Sequence, residues 1–464
     1  MPESLQKTQF LADEESSLIS RIIFVLLCTM LVFSTAAFGS VDVWALGVNV
    51  LFAGLLIIFW TIETWRKKEF RFNTSALQIP ILGLILIGLI QLLPLRSLTF
   101  PADLLSTPAA NSLSLAPYAT RLALVQLSVY FIFFAAAQTF INNEKRLRLI
   151  VAAIVGFGSL MAFFGILQQL TNTESIYGLR ASSQAAPFAS FVNRHHFAAF
   201  MEMTIGLSLG LLLGKKALKK DKRIFLLFAI VVMGIALVFT GSRGGIVSLL
   251  AVVIFIITIS LKQKDSDEAE IASGSKLRKP FVYIGGTLLL VLILLGSVLF
   301  LGGSDLFLRS IGVGVSGDVS TGRFHFWQIG WQIFLDHPIL GAGLDAFGTM
   351  FPNYDSWNGI FRVEQTHNDY LQTLADAGIL GFACIAAFIY LLFKKSRLIK
   401  SKASDRFGRG AAAGALAGCF GILVHSFFDF PLRTSSNMFF FLTLALIATN
   451  LIAPQKKSYK RVER

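Results

Sequence analysis

Charge is scarce in this chain of 464 residues: Asp, Glu, Lys and Arg make up 15% of it, against 55% hydrophobic residues. Soluble domains carry about 25% charged residues, so this composition argues against a soluble fold. Cysteine is scarcer still. Cys28, Cys384 and Cys419 each lie inside an apolar run with no CxxC spacing, which excludes a disulfide framework and leaves three small apolar residues. No P-loop, GxGxxG or GxSxG is present, so the usual phosphate cradles and the hydrolase nucleophile elbow are missing. No pair of carboxylates stands at a spacing suited to glycosidase chemistry, and no repeat of fixed period recurs.

What is present is a succession of long apolar runs, with 44 Phe and a mean hydropathy of +0.68. Barrel strands would alternate polar and apolar residues, and these runs do not. A helix of about 20 apolar residues crosses a hydrocarbon core of about 30 Å, and lipid offers backbone groups no partner outside the element. We place spans at 19–39, 43–62, 76–95, 120–141, 149–170, 196–214, 224–241, 244–261, 281–302, 378–393, 410–427 and 436–453. The expected fold class is all-α, a polytopic transmembrane bundle of about 12 spans. Glu3, Asp13, Glu14 and Glu15 precede the first run; an acidic leader favours an uncleaved span over a signal peptide ending near Ala36. With the N-terminus inside, 32 of the 41 Lys and Arg fall on the inner segments, as the positive-inside rule requires. The net charge of +14 is then a topological signal, and no nucleic-acid partner is expected. The chain divides into spans one to nine (1–302), a large outer loop (303–377), and spans ten to twelve with a basic inner tail (378–464).

All 20 lysines are on the inner side; the nine outer basic residues are Arg96, Arg121, Arg180, Arg194, Arg243, Arg309, Arg323, Arg362 and Arg433. Arginine presents a rigid fork that matches phosphate oxygens. Some of the nine are expected to be structural or to meet lipid headgroups, and others to hold a phosphorylated ligand. In the large loop, Phe324, Trp327, Trp331 and Phe334 recur at helical spacing, with Phe326 off that stripe; interfacial anchoring explains the stripe. It does not explain Arg323 at the helix start, where a cation opposes the dipole unless an anion is bound. A second helix is expected from Thr366 to Gly378, with Thr366 and Asp369 as a capping box and Gly378 as the stop. His367 then takes the first helical position, where the positive helix end favours a neutral ring able to accept a proton. A purely structural histidine is the competing reading. Asp369 either caps the helix or orients the ring, capping being favoured.

Two more segments share that face. Gly241-Ser242-Arg243-Gly244-Gly245 joins two spans almost without a loop, putting Arg243 at or below the interface, where ionisable residues are functional candidates. Phe191-Val192-Asn193-Arg194-His195-His196-Phe197 opens the sixth span. Adjacent histidines on a helix point about 100° apart, and no carboxylate or cysteine stands at ligand spacing, so no metal site is expected.

The segment Gly322-Arg323…Trp327…Phe334-Leu335-Asp336-His337-Pro338-Ile339-Leu340-Gly341-Ala342-Gly343, followed by His367-Asn368-Asp369-Tyr370-Leu371-Gln372 and Gly378-Ile379-Leu380-Gly381, resembles the core signature of the O-antigen ligase and polysaccharide polymerase superfamily. The Ser242-Arg243-Gly244 corner and the Asn193–Phe197 segment are also similar to that family's patterns. The strong part covers about 190–385. The resemblance implies a C-type glycosyltransferase fold in a bacterial inner membrane, both termini cytoplasmic and the active site periplasmic. It implies a metal-independent, cofactor-free transfer of a glycan from undecaprenyl diphosphate to a hydroxyl on a glycan, lipid A-core or other acceptor. Carried over by position, it gives His367 as general base and Arg323, Arg243 and Arg194 on the diphosphate. His196, Asn193, Asn368 and Asp369 are then supporting residues. Ligation, polymerisation and transfer to protein share these motifs; ligation is slightly favoured. A transporter or flippase of lipid-linked glycans would need more deep charge than Arg243, Glu202 and His425 provide, and a non-catalytic assembly protein is the remaining alternative.

Overall fold

The computed structural model describes residues 17–95, 111–171, 175–181, 186–214, 217–268, 322–357, 362–401 and 406–449. The span expected at 281–302, loop residues 303–321, Arg96 and Arg309 lie outside these. Each of the other eleven expected spans coincides with a helix. In chain order these are α1 (Leu18–Ala36), α2 (Val43–Lys67), α3 (Gln78–Gln91), α4 (Pro117–Phe140), α5 (Glu144–Leu170), α6 (Arg194–Leu213), α7 (Lys220–Phe239) and α8 (Arg243–Glu268). Two loop helices follow, α9 (Arg323–Asp336) and α10 (Phe347–Tyr354), and then α11 (Asp369–Ser401), α12 (Arg406–His425) and α13 (Ser435–Thr449). Among the described residues nine helices are long and apolar enough to cross a membrane, and α3 and α13 are shorter apolar helices. The protein is a multi-pass, all-helical membrane protein. The sheet among the described residues is a two-strand hairpin, β1 (Ser175–Ile176) with β2 (Arg180–Ala181).

The most enclosed span is α6, 89% of it buried. Its glycines explain why. Gly206 and Gly210 face Gly418 and Gly414 of α12 so closely that a Cβ at Gly210 would stand 2.3 Å from the Gly414 backbone. Between lipid-embedded helices, small residues at four-residue intervals let backbones touch and supply the packing that hydrophobicity cannot.

The ends of the bundle differ. At one end Arg146 donates to Ser20 Oγ at 2.7 Å, Lys395 donates to Ser75 Oγ at 3.0 Å, and Lys67 pairs with Glu63 at 2.9 Å. At the other lie α9, α10 and the starts of α6, α8 and α11. There the segment after α9 threads along α11 at a break. Gly378 has φ +63°, and a Cβ on it would stand 2.4 Å from Ile339 O. The helix therefore does not stop at Gly378, as the capping pattern suggested; it breaks and resumes. The break frees backbone groups that must be paired. Ala342 N–H and Gly343 N–H donate to Ala375 O and Asp376 O at 2.8 and 3.0 Å, and Ile379 N–H donates to Pro338 O at 2.8 Å. Pro338–Gly343 is thus a backbone clamp. Gln91 of α3 closes it, donating to Leu340 O at 2.6 Å and accepting from Leu344 N–H at 2.9 Å.

Candidate functional site

The turn leaving α12, Ser426 to Phe430, is where the predicted residues meet, and its centre is a residue the sequence reading passed over. Asp429 is buried, and its two carboxylate oxygens face different partners. Oδ2 accepts from Arg323 Nη2 at 3.2 Å, and Oδ1 lies 3.2 Å from His367 Nδ1. Burial alone would raise its pKa. The hydrogen bond with His367 and the positive charge of Arg323 and nearby imidazoles reverse this and hold the carboxyl well below the ordinary carboxylate range. Since a carboxylate only accepts, His367 Nδ1 is the donor in this contact.

His367 is not at the first helical position. The cap of α11 is Asn368, whose Oδ1 accepts from Tyr370 N–H and Leu371 N–H at 3.0 and 3.1 Å. His367 precedes the helix with φ +56°. The capping box is also different: Gln372 Oε1, not Asp369, accepts from Thr366 N–H, at 2.6 Å. Asp369 Oδ2 instead accepts from Ser426 Oγ at 2.8 Å and Leu432 N–H at 3.2 Å. It neither caps its helix nor touches His367; it ties α11 to the Asp429 turn. The imidazole is oriented by Asp429, and the helix-end argument for its protonation state gives way to that contact.

Rings pack the imidazole on two sides. Phe326, off the aromatic stripe, stacks on His367 with centroids 5.9 Å apart at 30°. Phe430 stands edge-on between His367 and His196, 4.8 Å from each. Of the stripe, Phe324 and Trp331 are exposed, while Trp327 and Phe334 are half-buried.

Arg194, Arg243 and Arg323 each take the first position of a helix, α6, α8 and α9. Each is a cation at a positive helix end, and all three helix starts pack on the same turn. Ser242 Oγ accepts from Gly245 N–H at 3.1 Å and lies 2.8 Å from His195 Nδ1, joining the starts of α8 and α6. Gly244 brings α8 against the turn: a Cβ there would meet His425 at 3.2 Å and Phe428 at 3.3 Å. Asn193 caps α6 by accepting from His195 N–H at 2.8 Å. His196 is fixed by Thr434 Oγ1, 2.6 Å from its Nδ1, while its buried Nε2 has no partner among the described residues. His425 pairs with Glu202 of α6 at 2.7 Å. The site therefore holds four of the chain's six histidines, His195 and His425 joining the expected His367 and His196.

Three more arginines of the expected outer segments have carboxylate partners. Arg433 reaches Asp376 at 2.7 Å and Asp345 at 3.2 Å, fastening the clamp to α11; Arg180 pairs with Asp42 and Arg362 with Glu364. Among the described residues no group of three His, Cys, Asp or Glu side chains is placed to share a metal ion.

No curated protein matches the chain. The O-antigen ligase family model matches residues 228–386, a stretch that contains Arg243, Arg323 and His367. Over that stretch, about a third of its length, this multi-pass helical membrane protein is similar to the O-antigen ligase family.

Proposed function

We propose that this protein is a glycosyltransferase of the ligase type, moving a glycan from undecaprenyl diphosphate to an acceptor hydroxyl at the periplasmic face of a bacterial inner membrane. The observation that carries the reading is that one buried carboxylate, Asp429, is shared by a guanidinium and an imidazole from segments distant in the chain. Asp429 holds the His367 Nδ1–H, so Nε2 is the atom that takes the proton of the acceptor hydroxyl as its oxygen bonds to the anomeric carbon. The bond from that carbon to the diphosphate breaks, and undecaprenyl diphosphate leaves with the electron pair. Arg323, Arg243 and Arg194, at three helix starts, supply fixed positive charge and backbone N–H groups where the leaving group's charge develops.

The test is glycan transfer by purified, reconstituted protein from an undecaprenyl-diphosphate-linked donor. His367→Ala should lower the rate by about 10²–10⁴, the usual contribution of a positioned base. Arg323→Lys keeps the charge and loses the fork, so it too should be impaired. Near-wild-type rates in both would remove the mechanism. Product on lipid A-core identifies a ligase; growth of the donor glycan identifies a polymerase.

A further inference from the structure

From His367 the row of rings continues outward. Beyond Phe326, Trp357 lies at 6.1 Å, and its indole is laid flat on His325 with centroids 4.1 Å apart and planes 6° from parallel. This pair is braced. One oxygen, Asp355 Oδ1, accepts from the Trp357 backbone N–H at 3.0 Å and lies 2.7 Å from His325 Nε2. Those two bonds, the His325 one foremost, hold the Asp355 carboxyl below its ordinary value. His325 and Asp355 are largely covered, yet Trp357 stays 46% exposed. Its indole edge rests on Gly322, where a Cβ would stand 3.3 Å from Cη2. The next residue is Arg323. Membrane anchoring needs no such bracing: Phe324 and Trp331, the exposed rings of α9, pack on neighbouring rings of their own helix.

We propose that the exposed face of Trp357 is a saccharide subsite, taking the pyranose ring next to the diphosphate of the donor; this rests on the transferase reading. A pyranose presents a face of C–H bonds that lies well on an aromatic plane, while its hydroxyls project sideways and stay solvated. Position selects the donor over the acceptor. The first sugar is bonded to the phosphate, so its ring must lie beside the phosphate-binding Arg323, which adjoins the residue that the indole touches. Asp355 and His325 keep the indole in one plane, so the ring it carries is presented in one orientation.

The experiment uses the full chain in detergent or liposomes. Trp357→Ala should raise the donor KM about tenfold, the scale of one ring-stacking contact, with kcat and the acceptor KM unchanged. Trp357→Phe should recover most of the loss, and Phe324→Ala should do nothing. An unchanged donor KM, a rise in the acceptor KM instead, or an equal effect of Phe324→Ala would overturn the subsite. Calorimetric binding of the free glycan, released by mild acid from the host's own lipid-linked donor, separates this idea from the one beneath it. Binding lost in Trp357→Ala by a protein that transfers nothing would keep the subsite and sink the transferase; normal transfer with binding unaltered by Trp357→Ala would do the reverse.

Discussion

His367 occupies the left-handed region, φ +56°, with an aromatic side chain attached. Non-glycine residues held there cost on the order of 1 kcal/mol or more, and such strain gathers at functional sites. Asparagine tolerates that conformation. We therefore expect His367→Asn to melt at or above the wild-type temperature while transfer falls by about 10²–10⁴; a variant that loses activity and stability together would make this histidine structural. Asp429 yields a second prediction at this scale. Its folded-state pKa is depressed, so its stabilisation is present above the unfolded value of about 3.9 and is lost as pH falls through the folded value. Wild-type thermal stability should drop as pH is lowered below about 4, and Asp429→Asn should be less stable at neutral pH and flatter on the acid side. A wild-type acid limb left unchanged by the substitution would count against the pairing. Asp429 was not legible in the sequence because Phe427-Phe428-Asp429-Phe430-Pro431 reads as the end of a span, and its partners lie 62 and 106 residues away. A carboxylate among phenylalanines needs a compensating partner, and that was the signal available.

At the scale of elements the spans were readable because lipid imposes one rule on every backbone group. The lysine and arginine distribution gave each span an expected direction, which the labelling experiment below tests. What was not readable was any feature decided by a neighbour. The motif around Gly378 has the form of a helix stop, but the segment Pro338–Gly343 pairs with the opened backbone and the helix goes on. The four-residue glycine spacing on α6 and α12 was visible as composition, yet only contact between the two helices gives it meaning. Gly414→Val should be destabilising by at least the ~1–3 kcal/mol of ordinary overpacking, because the atoms it meets are the backbone of α6. Gly156→Ala on α5, where a Cβ meets nothing within 4 Å, should instead gain up to ~1 kcal/mol of helix propensity. Thermal melts of the two in one detergent compare them directly; similar behaviour would show that α6 and α12 do not touch.

At the scale of the whole molecule, the two chemically distinct ends make the expected orientation testable. With Cys28, Cys384 and Cys419 shielded or replaced, a cysteine at Glu364 should react with an impermeant maleimide across the periplasmic face, and one at Lys67 should react only after the inner membrane is opened; the opposite pattern would invert the topology. The glycine-to-glycine seam has a further consequence. Helix α6 begins with Asn193 and the paired histidines, and α12 runs directly into Asp429, so the seam sets the spacing of the polar groups beyond it. Helices joined through main-chain atoms have no side-chain slack along which to slide. In the proposed transferase, the polar groups at the end of this seam stand ready before any lipid arrives, on a frame that does not reassemble. Structures with and without a bound polyprenyl substrate should superpose along this pair of helices, leaving adjustment to the periphery of the bundle.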